Sequence, residues 1–311
     1  MELSFGGDAP LITTAVEKIR KLSGVIGFVL LCTLTVAAAY LGITIGVERL
    51  SPAWTFNVSA DIICLMVCSI LYYGCISEKQ DGDETTRLFM ALLFCDAMIL
   101  STDMASWMIE GVSELRGLYV ADYTLYLCCT VLLCFMFWRY IRAYLALDGT
   151  IPRVCNRVAN LMLAPALLIC LANLFVPICF SIDEQGIYHD ADAALLAYVY
   201  FVVIAICSTL CLLRAKVPRR NKIVIGLFYF VPFVYAIFYL DSNGATLPDA
   251  PLLAIMLMYV VLVADRSKTL AATQSELDMA TGIQANILPN TFPAFPAYQE
   301  FDIYATMDPA K

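Results

Sequence analysis

Residues 251–289 read PLLAIMLMYVVLVADRSKTLAATQSELDMATGIQANILP, and this stretch decides how the rest of the chain is interpreted. An apolar half passes into a polar half, and between Leu252 and Leu288 there is no proline and only one glycine, Gly282. The stretch therefore predicts one continuous helix of about 35 residues, roughly 50 Å long at 1.5 Å per residue. Such a helix can carry a signal out of a membrane.

The polar half, residues 265–288, carries a weak heptad seam suited to pairing with a second copy of itself. The seam residues are Leu270, Thr273, Leu277 and Ala280, continued with a slight drift by Ile283 and Ile287. We expect this signalling helix to form a homodimer through Leu270, Leu277, Ile283 and Ile287. Pro289 ends the helix, because proline lacks the amide hydrogen that the next turn needs.

Beyond a proline-rich elbow, residues 301–308 (FDIYATMD) alternate between apolar and more polar side chains. This alternation is typical of a strand with one buried face. A single strand cannot form a domain. We therefore expect residues 290–311 to be the start of a cytoplasmic α/β domain that is truncated at Lys311.

The sequence ELDMATGIQANILP at 276–289, followed by Phe292-Pro293, FDIYA at 301–305 and Pro309-Ala310, resembles the entry to SpoIIE/RsbU-type serine phosphatases. These enzymes belong to the bacterial metal-dependent, protein phosphatase 2C-like group. In that family a helix ending Ile-Gln-x-x-Leu-Leu-Pro leads into the first strand, and a Val-Gly-Gly-Asp motif follows, whose aspartate holds Mn or Mg. Here the helix ends Ile-Leu-Pro, and the aspartate motif does not occur in the chain.

The resemblance covers about 36 of the 311 residues. It implies a full-length protein serine/threonine phosphatase with Mn or Mg as cofactor. The implied substrate is a phosphoprotein, often of the anti-sigma-factor-antagonist type. Residues 1–311 contain no catalytic residue of that chemistry, so we expect them to be inactive by themselves and to need no cofactor.

Composition places the chain among polytopic membrane proteins. It is 61% hydrophobic and 15% charged, with a mean hydropathy of +0.78, values that ordinary soluble domains do not have. The lipid bilayer is therefore an expected partner, and nucleic acid is not. Most of the 13 cysteines lie inside apolar runs, which indicates small buried apolar residues rather than a disulfide framework.

The lengths of the apolar runs, and the polar residues that separate them, predict an all-α transmembrane bundle of about eight spans, with seven spans as the alternative count. The predicted spans are 24–47, 58–77, 88–109, 119–141, 158–181, 193–213, 223–240 and 248–264. This gives an N-terminal segment with a short amphipathic surface helix (1–23), a sensor bundle (24–264), a signalling helix (265–289) and the start of a phosphatase domain (290–311).

The distribution of basic residues orients the bundle. With eight spans, 17 lysines and arginines fall on one side, and only Arg49 and Arg116 fall on the other. Because positive charges concentrate on cytoplasmic loops, we expect a multi-pass protein of the bacterial cell membrane with both termini in the cytoplasm.

Four aspartates lie at membrane depth, where charged side chains are rare and are functional candidates by default. They are Asp61, Asp96, Asp103 and Asp122. In the third span, Asp96, Asp103, Trp107 and Glu110 follow spacings that place them on one helix face. With Tyr126 nearby, we interpret Asp61, Asp96, Asp103, Trp107, Asp122 and Tyr126 as candidate ligand-binding residues, with Asp61, Asp103 and Asp122 in the outer half of the bundle.

The chemistry of these carboxylates leaves three interpretations open. They could hold helices together through hydrogen bonds to Ser, Thr or Tyr hydroxyls. They could bind a small cation, for example an organic amine held by charge and aromatic faces together. They could also serve a proton-coupled step. For a sensor, replacement of Asp103 by alanine is expected to abolish the response to a stimulus without unfolding the protein.

Together these features favour a membrane receptor that couples a signal at the outer face to a cytoplasmic phosphatase. The first alternative is an ion- or proton-coupled transporter, which would not need the amphipathic helix after the last span. The second is the sensor of a histidine kinase, in which that helix should continue into a His-bearing dimerisation helix. Ile287-Leu288-Pro289 and the alternating strand argue against this second alternative.

Overall fold

The computed structural model describes residues 9–46, 52–77, 84–191, 193, 195–239 and 249–287. The chain divides into two compact units, residues 1–258 and residues 259–311. The described part is mostly helical, with one small antiparallel hairpin. The prediction of a helical protein is confirmed at this level.

Eight α-helices lie in the described part of the chain. They are α1 (Ala9–Gly46), α2 (Pro52–Ser77), α3 (Glu84–Ile109), α4 (Arg116–Tyr144), α5 (Thr150–Ala172), α6 (Leu196–Arg214), α7 (Arg219–Tyr239) and α8 (Asp249–Ile287). A 3-10 turn, Ser113–Leu115, precedes α4. The hairpin between α5 and α6 pairs β1 (Phe180–Ile182) with β2 (Tyr188–Asp190), so that Ser181 lies opposite His189.

Helix α2 buries two polar side chains and exposes an apolar stripe. Ile63, Met66 and Ile70 are exposed at steps of three and four residues, whereas Asn57 and Asp61 on the opposite face are buried. An apolar outer face is what lipid requires, because hydrocarbon offers no partner to a polar side chain.

Four helical segments of the described chain are long and apolar enough to cross a membrane. They are Trp54–Ile76, Glu84–Ile109, Ser113–Tyr144 and Thr150–Ala172. Two shorter apolar helices are Leu22–Ala37 and Tyr198–Arg214. These lengths are compatible with a membrane protein.

Helix α4 lies at the centre of the first unit, in contact with α3, α5, α6 and β1. Phe137 of α4 stacks on Phe228 of α7, with ring centroids 3.6 Å apart. Trp138 is fully buried beside it. The hydroxyl of Tyr200 in α6 donates to the carbonyl of Ala159 in α5 at 3.1 Å. Large aromatic side chains therefore fill the space between α4, α5, α6 and α7.

Side-chain contacts define two ends of this unit. Trp54 Nε1 at the start of α2 donates to the carbonyl of Trp107 at the end of α3 over 3.2 Å. Arg139 near the end of α4 pairs with Glu84 at the start of α3 at 3.6 Å. We call the end with Trp107 and the β1–β2 hairpin the hairpin end, and the end with Arg139 the basic end.

Several predicted boundaries differ from the structure. The separate surface helix expected within residues 1–23 is part of α1, which runs from Ala9 to Gly46 without interruption. The span predicted at 158–181 ends at Ala172. Beyond it, the side chain of Asn173 accepts the backbone amides of Ile178 and Cys179, at 3.0 and 2.7 Å, and holds the turn into the hairpin. The hairpin that follows was not predicted.

The continuous helix expected from residues 251–289 is confirmed, since α8 runs for 39 residues from Asp249 to Ile287. The strand predicted at 301–308 lies outside the described residues. All 13 cysteines are free, and none is exposed. Ten are buried and Cys32, Cys64 and Cys95 are partly buried, so the prediction of small buried residues is confirmed for most of them.

Candidate functional site

Helix α2 brings its polar residues to the inside of the bundle at the hairpin end. Asn57, Asp61 and Cys68 lie on its buried face at steps of four and seven residues. Asp61 is 0% exposed. Because the start of α2 adjoins the end of α3, this carboxylate is directed into the bundle at the level of the last turns of α3.

Helix α3 contributes two buried carboxylates at different depths. Asp96 is 0% exposed and Asp103 is 7% exposed. The thiol of Cys68 donates to Asp96 Oδ2 at 3.7 Å. Asp103 lies seven residues further along, or about 10 Å along the helix axis. The predicted stripe thus places Asp96 nearer the middle of the bundle and Asp103 at the hairpin end.

Helix α4 completes the group at the hairpin end. Ser106 Oγ of α3 donates to Asp122 Oδ2 at 2.9 Å. The phenol of Tyr126 interacts electrostatically with both Asp103 and Asp61, and the phenol of Tyr119 interacts with Asp103 and Asp122. The two phenols therefore link Asp61 and Asp122 to Asp103 electrostatically, although the three carboxylates come from three helices. We call Asp61, Asp103, Asp122 and Tyr126 the carboxylate site.

An aromatic cluster lies next to the carboxylate site. Tyr123 packs against Tyr126 with ring centroids 5.1 Å apart, against Phe180 of β1 at 4.7 Å and against Tyr188 of β2 at 4.8 Å. The phenol of Tyr126 also interacts electrostatically with Tyr188 and with Tyr198 of α6. The hairpin therefore covers the carboxylate site with aromatic side chains.

Two hydrogen bonds to carbonyl groups of the hairpin hold it in place. The amide of Gly111 donates to the carbonyl of Gly186 at 2.9 Å, and Arg116 Nε donates to the carbonyl of Ile182 at 2.9 Å. Gly186 has φ +80°, and a Cβ at this position would lie 3.0 Å from the backbone of Val112. Only glycine fits here without displacing the chain.

The turn of the hairpin is stabilised by a carboxylate. Asp183 Oδ1 accepts the amides of Gln185 and Ile187 at 2.8 and 2.9 Å, and Asp183 Oδ2 lies 3.0 Å from His189 Nε2. The hydrogen bond from His189, followed by the backbone amides, lowers the pKa of Asp183. Burial raises the pKa of Tyr188, whose hydroxyl donates to Asp190 at 2.7 Å.

The structure brings some predicted site residues together and separates others. Asp61, Asp103 and Asp122 all lie at the hairpin end, where Tyr126 interacts with Asp61 and Asp103 and Ser106 binds Asp122. Asp96 is buried about two turns away with Cys68. Trp107 is half-buried, and its backbone carbonyl accepts the indole of Trp54.

Sequence reasoning missed several residues that the structure places beside the carboxylate site. They are Asn57, Ser106, Tyr119, Tyr188 and Tyr198. Asn57 and Ser106 each follow the helical spacing of a recognised aspartate, since they lie four residues before Asp61 and three after Asp103. That signal was available from the sequence. No helical spacing relates Tyr188 or Tyr198 to a recognised aspartate. These two tyrosines approach the carboxylate site only because the fold brings the hairpin and α6 next to it.

The carboxylate site can hold positive charge or protons. Buried carboxylates favour a nearby cation or the protonated form, since an isolated negative charge at low dielectric is costly. Tyrosine faces add an attractive surface for an organic cation. In the described part of the chain, no three His, Cys, Asp or Glu side chains are grouped so as to hold a metal ion.

The predicted signalling residues lie on the polar half of α8. Leu270, Leu277 and Ile283 are exposed, and Gln274 Nε2 donates to Asp278 Oδ1 one turn further on at 2.9 Å. The side chain of Ile287 lies outside the described residues. An exposed leucine or isoleucine every six or seven residues leaves an apolar seam available to a partner.

No protein family matches the chain, and no curated protein or solved structure matches it significantly. The resemblance of residues 276–310 to SpoIIE/RsbU-type phosphatases therefore stays a prediction.

Proposed function

We propose that the chain is the sensor module of a bacterial multi-pass membrane receptor that controls a cytoplasmic, metal-dependent protein serine/threonine phosphatase. The observation that carries this proposal is that Asp61, Asp103 and Asp122, from three helices, lie at the hairpin end and interact with the phenols of Tyr126 and Tyr119. Carboxylates at membrane depth are costly and mark ligand, ion or proton sites. A site of this kind at one end of a membrane bundle suits the detection of a signal.

The carboxylate site is proposed to take a small cationic ligand at the outer face. Asp61 and Asp103 would supply the negative charge, and Tyr126 and its aromatic neighbours would supply π faces. The hairpin is the natural moving element, because Tyr188 packs on Tyr123 at the edge of the site. Binding of a ligand there would change how the hairpin packs on α4.

Helix α8 is proposed to transmit the change. In this proposal the bundle crosses the membrane eight times, both termini are cytoplasmic, and α8 carries the signal from the membrane to the cytosol. The unbroken run of α8 and its exposed Leu270, Leu277 and Ile283 support a helix that pairs with a second copy. A rigid paired helix transmits rotation or shift to whatever follows it.

The output is proposed from the resemblance at residues 276–310 alone. A phosphatase domain after Lys311 would hydrolyse a phosphoserine or phosphothreonine of a protein substrate with Mn or Mg. That metal would be held by residues beyond Lys311, and no residue of 1–311 is assigned to it.

Two measurements test the proposal. The coding sequence that follows Lys311 should contain a Gly-Gly-Asp motif within about 30 residues, and its absence would end the phosphatase assignment. The full-length protein in nanodiscs should then dephosphorylate a phosphoserine peptide in Mn²⁺, and tetramethylammonium should change that rate where sodium at equal ionic strength does not. Asp103→Asn should abolish the change and keep the basal rate, with exposed Asp148→Asn as the matched control. Cation-driven uptake without phosphatase activity would favour the transporter instead.

A further inference from the structure

One exposed face of α5 changes from apolar to basic along its length. Leu161 and Leu168 are 77% and 64% exposed. Arg157 and Arg153 precede Leu161 by four and eight residues, so they lie on the same face, and both are exposed. In a membrane-spanning helix the exposed leucines meet acyl chains. Arg153 and Arg157 therefore lie at the level where hydrocarbon gives way to lipid headgroups.

Positive charge surrounds these two arginines at the basic end. Residues 139–157 and 214–222, which are described without a gap, contain nine basic side chains and a single acidic one, Asp148. The basic residues are Arg139, which pairs with Glu84, and Arg142, Arg153, Arg157, Arg214, Lys216, Arg219, Arg220 and Lys222. A charge balance of this kind attracts an anionic partner.

Contacts between helices gather these residues. The thiol of Cys155, which lies between Arg153 and Arg157 on α5, interacts with Cys211 of α6, and Cys211 interacts electrostatically with Arg214 and Arg142. The ends of α4 and α7 join through Asn221 Nδ2, which donates to the hydroxyl of Tyr144 at 2.6 Å. Arg142 and Arg214 therefore lie at the same end of the bundle, on the side of α5 that carries buried Cys155, whereas Arg153 and Arg157, two residues before and after Cys155, face outward in front of them.

Neutral acceptors hold the guanidinium groups. Arg142 Nη1 donates to Asn156 Oδ1 at 2.7 Å, and Arg153 Nε donates to the carbonyl of Gly149 at 3.0 Å. The Nε of Arg142 is enclosed with no hydrogen-bond acceptor among the described residues. These bonds orient the side chains without neutralising their charge, because amide and carbonyl oxygens carry no net charge.

We propose that Arg153 and Arg157, with Arg142 and Arg214 behind them, form a binding site for an anionic phospholipid. The planar guanidinium group matches a phosphate with two parallel hydrogen bonds. An acyl chain of the same lipid lies along Leu161 and Leu168. The site is independent of the carboxylate site at the opposite end, so it holds or fails separately from the proposed sensor function.

The test measures lipid binding to the purified, detergent-solubilised chain by native mass spectrometry. Phosphatidylglycerol should bind more tightly than phosphatidylcholine of the same acyl composition. The double variant Arg153→Gln, Arg157→Gln should bind phosphatidylglycerol about thirty-fold more weakly, since each surface arginine contributes about fivefold. The control variant Arg116→Gln, at the hairpin end, should keep the wild-type affinity.

Three outcomes would overturn the proposal. The first is equal affinity of the wild-type chain for the two lipids. The second is unchanged phosphatidylglycerol binding by the double variant with an unaltered melting temperature. The third is displacement of the lipid by inorganic phosphate as effectively as by free phosphatidylglycerol, which would make the site one for soluble phosphate. If the double variant unfolds, the comparison of the two lipids and the phosphate competition on the wild-type chain still decide whether the site binds an anionic phospholipid.

Discussion

Replacement of Asn173 by alanine should loosen the hairpin that covers the carboxylate site. Asn173 is 4% exposed and directly follows α5. Its Oδ1 accepts the amides of Ile178, Cys179 and Phe180 at 3.0, 2.7 and 3.2 Å, and its Nδ2 donates to the carbonyl of Phe180 at 3.1 Å. One side chain thus supplies four hydrogen bonds to the segment that enters β1.

The free-energy cost of Asn173→Ala follows from the loss of those four hydrogen bonds. A typical intramolecular hydrogen bond contributes about 0.5–1.5 kcal/mol net, and a buried group left without a partner costs more. Some freed amides regain water at the hairpin end, so we expect a loss of about 3 kcal/mol. The loss is local, because the hairpin opens without unfolding the helices. At about tenfold for each 1.4 kcal/mol, opening of the hairpin should become roughly a hundredfold more frequent.

Hydrogen exchange measured by mass spectrometry on peptides covering 178–190 reports this opening directly. The matched control is Asn156→Ala at the basic end, where Asn156 Oδ1 accepts Trp138 Nε1 and Arg142 Nη1 at 3.3 and 2.7 Å. The control should leave exchange in the hairpin unchanged. Equal exchange in wild type and Asn173→Ala, or equal acceleration by both variants, would refute the reasoning.

Three further changes have defined outcomes. Gly186→Ala should destabilise the hairpin by about 1–3 kcal/mol, because φ is +80° and the new Cβ would meet the Val112 backbone at 3.0 Å. Hydrogen exchange of the hairpin amides measures this destabilisation. Hairpin protection should fall as the pH drops through the lowered pKa of Asp183, and His189→Gln should move that loss to higher pH. Leu277→Asp should abolish dimerisation of the chain in analytical ultracentrifugation.

Each of these has its own control. Gly111 has φ +76°, but a Cβ added there would meet no atom within 4 Å, so Gly111→Ala should cost less than Gly186→Ala. The pH effect has the sign expected for a carboxyl group whose pKa is lowered by folding. The stabilisation is present above the ordinary aspartate pKa of about 4 and disappears in acid. Met279→Asp changes an exposed residue off the seam and should leave the dimer intact, whereas dissociation by both variants would argue against the seam.

Apolar run length and helix breakers were sufficient to locate the helices. The run without proline after Leu252 predicts α8 almost to its last residue, because nothing in it competes with the helical ladder. The end of α5 was harder to predict. Its apolar sequence continues past Ala172 to Pro177, and the turn that follows the helix is held by one asparagine side chain that accepts three later amides. Strands of three residues are too short to show a period.

The candidate site was predictable along each helix and not between helices. Spacing alone places Asp96 and Asp103 on one face of α3, and both are buried. The rotation of α4 against α3 decides that Asp122 meets Ser106, and no periodicity within one helix fixes that rotation. The contribution of Tyr188 depends on a hairpin distant in sequence, so it could not be foreseen.

The most direct test of a sensor connected to a phosphatase through α8 is a helical-phase experiment on the full-length protein. Two residues inserted between Ala271 and Ala272 rotate the following part of α8 by about 200°, whereas seven residues restore the phase to within about 20°. Basal Mn²⁺-dependent dephosphorylation of a phosphoserine peptide should change with the two-residue insertion and return towards wild type with seven. Identical activity in all three proteins would contradict coupling through this helix.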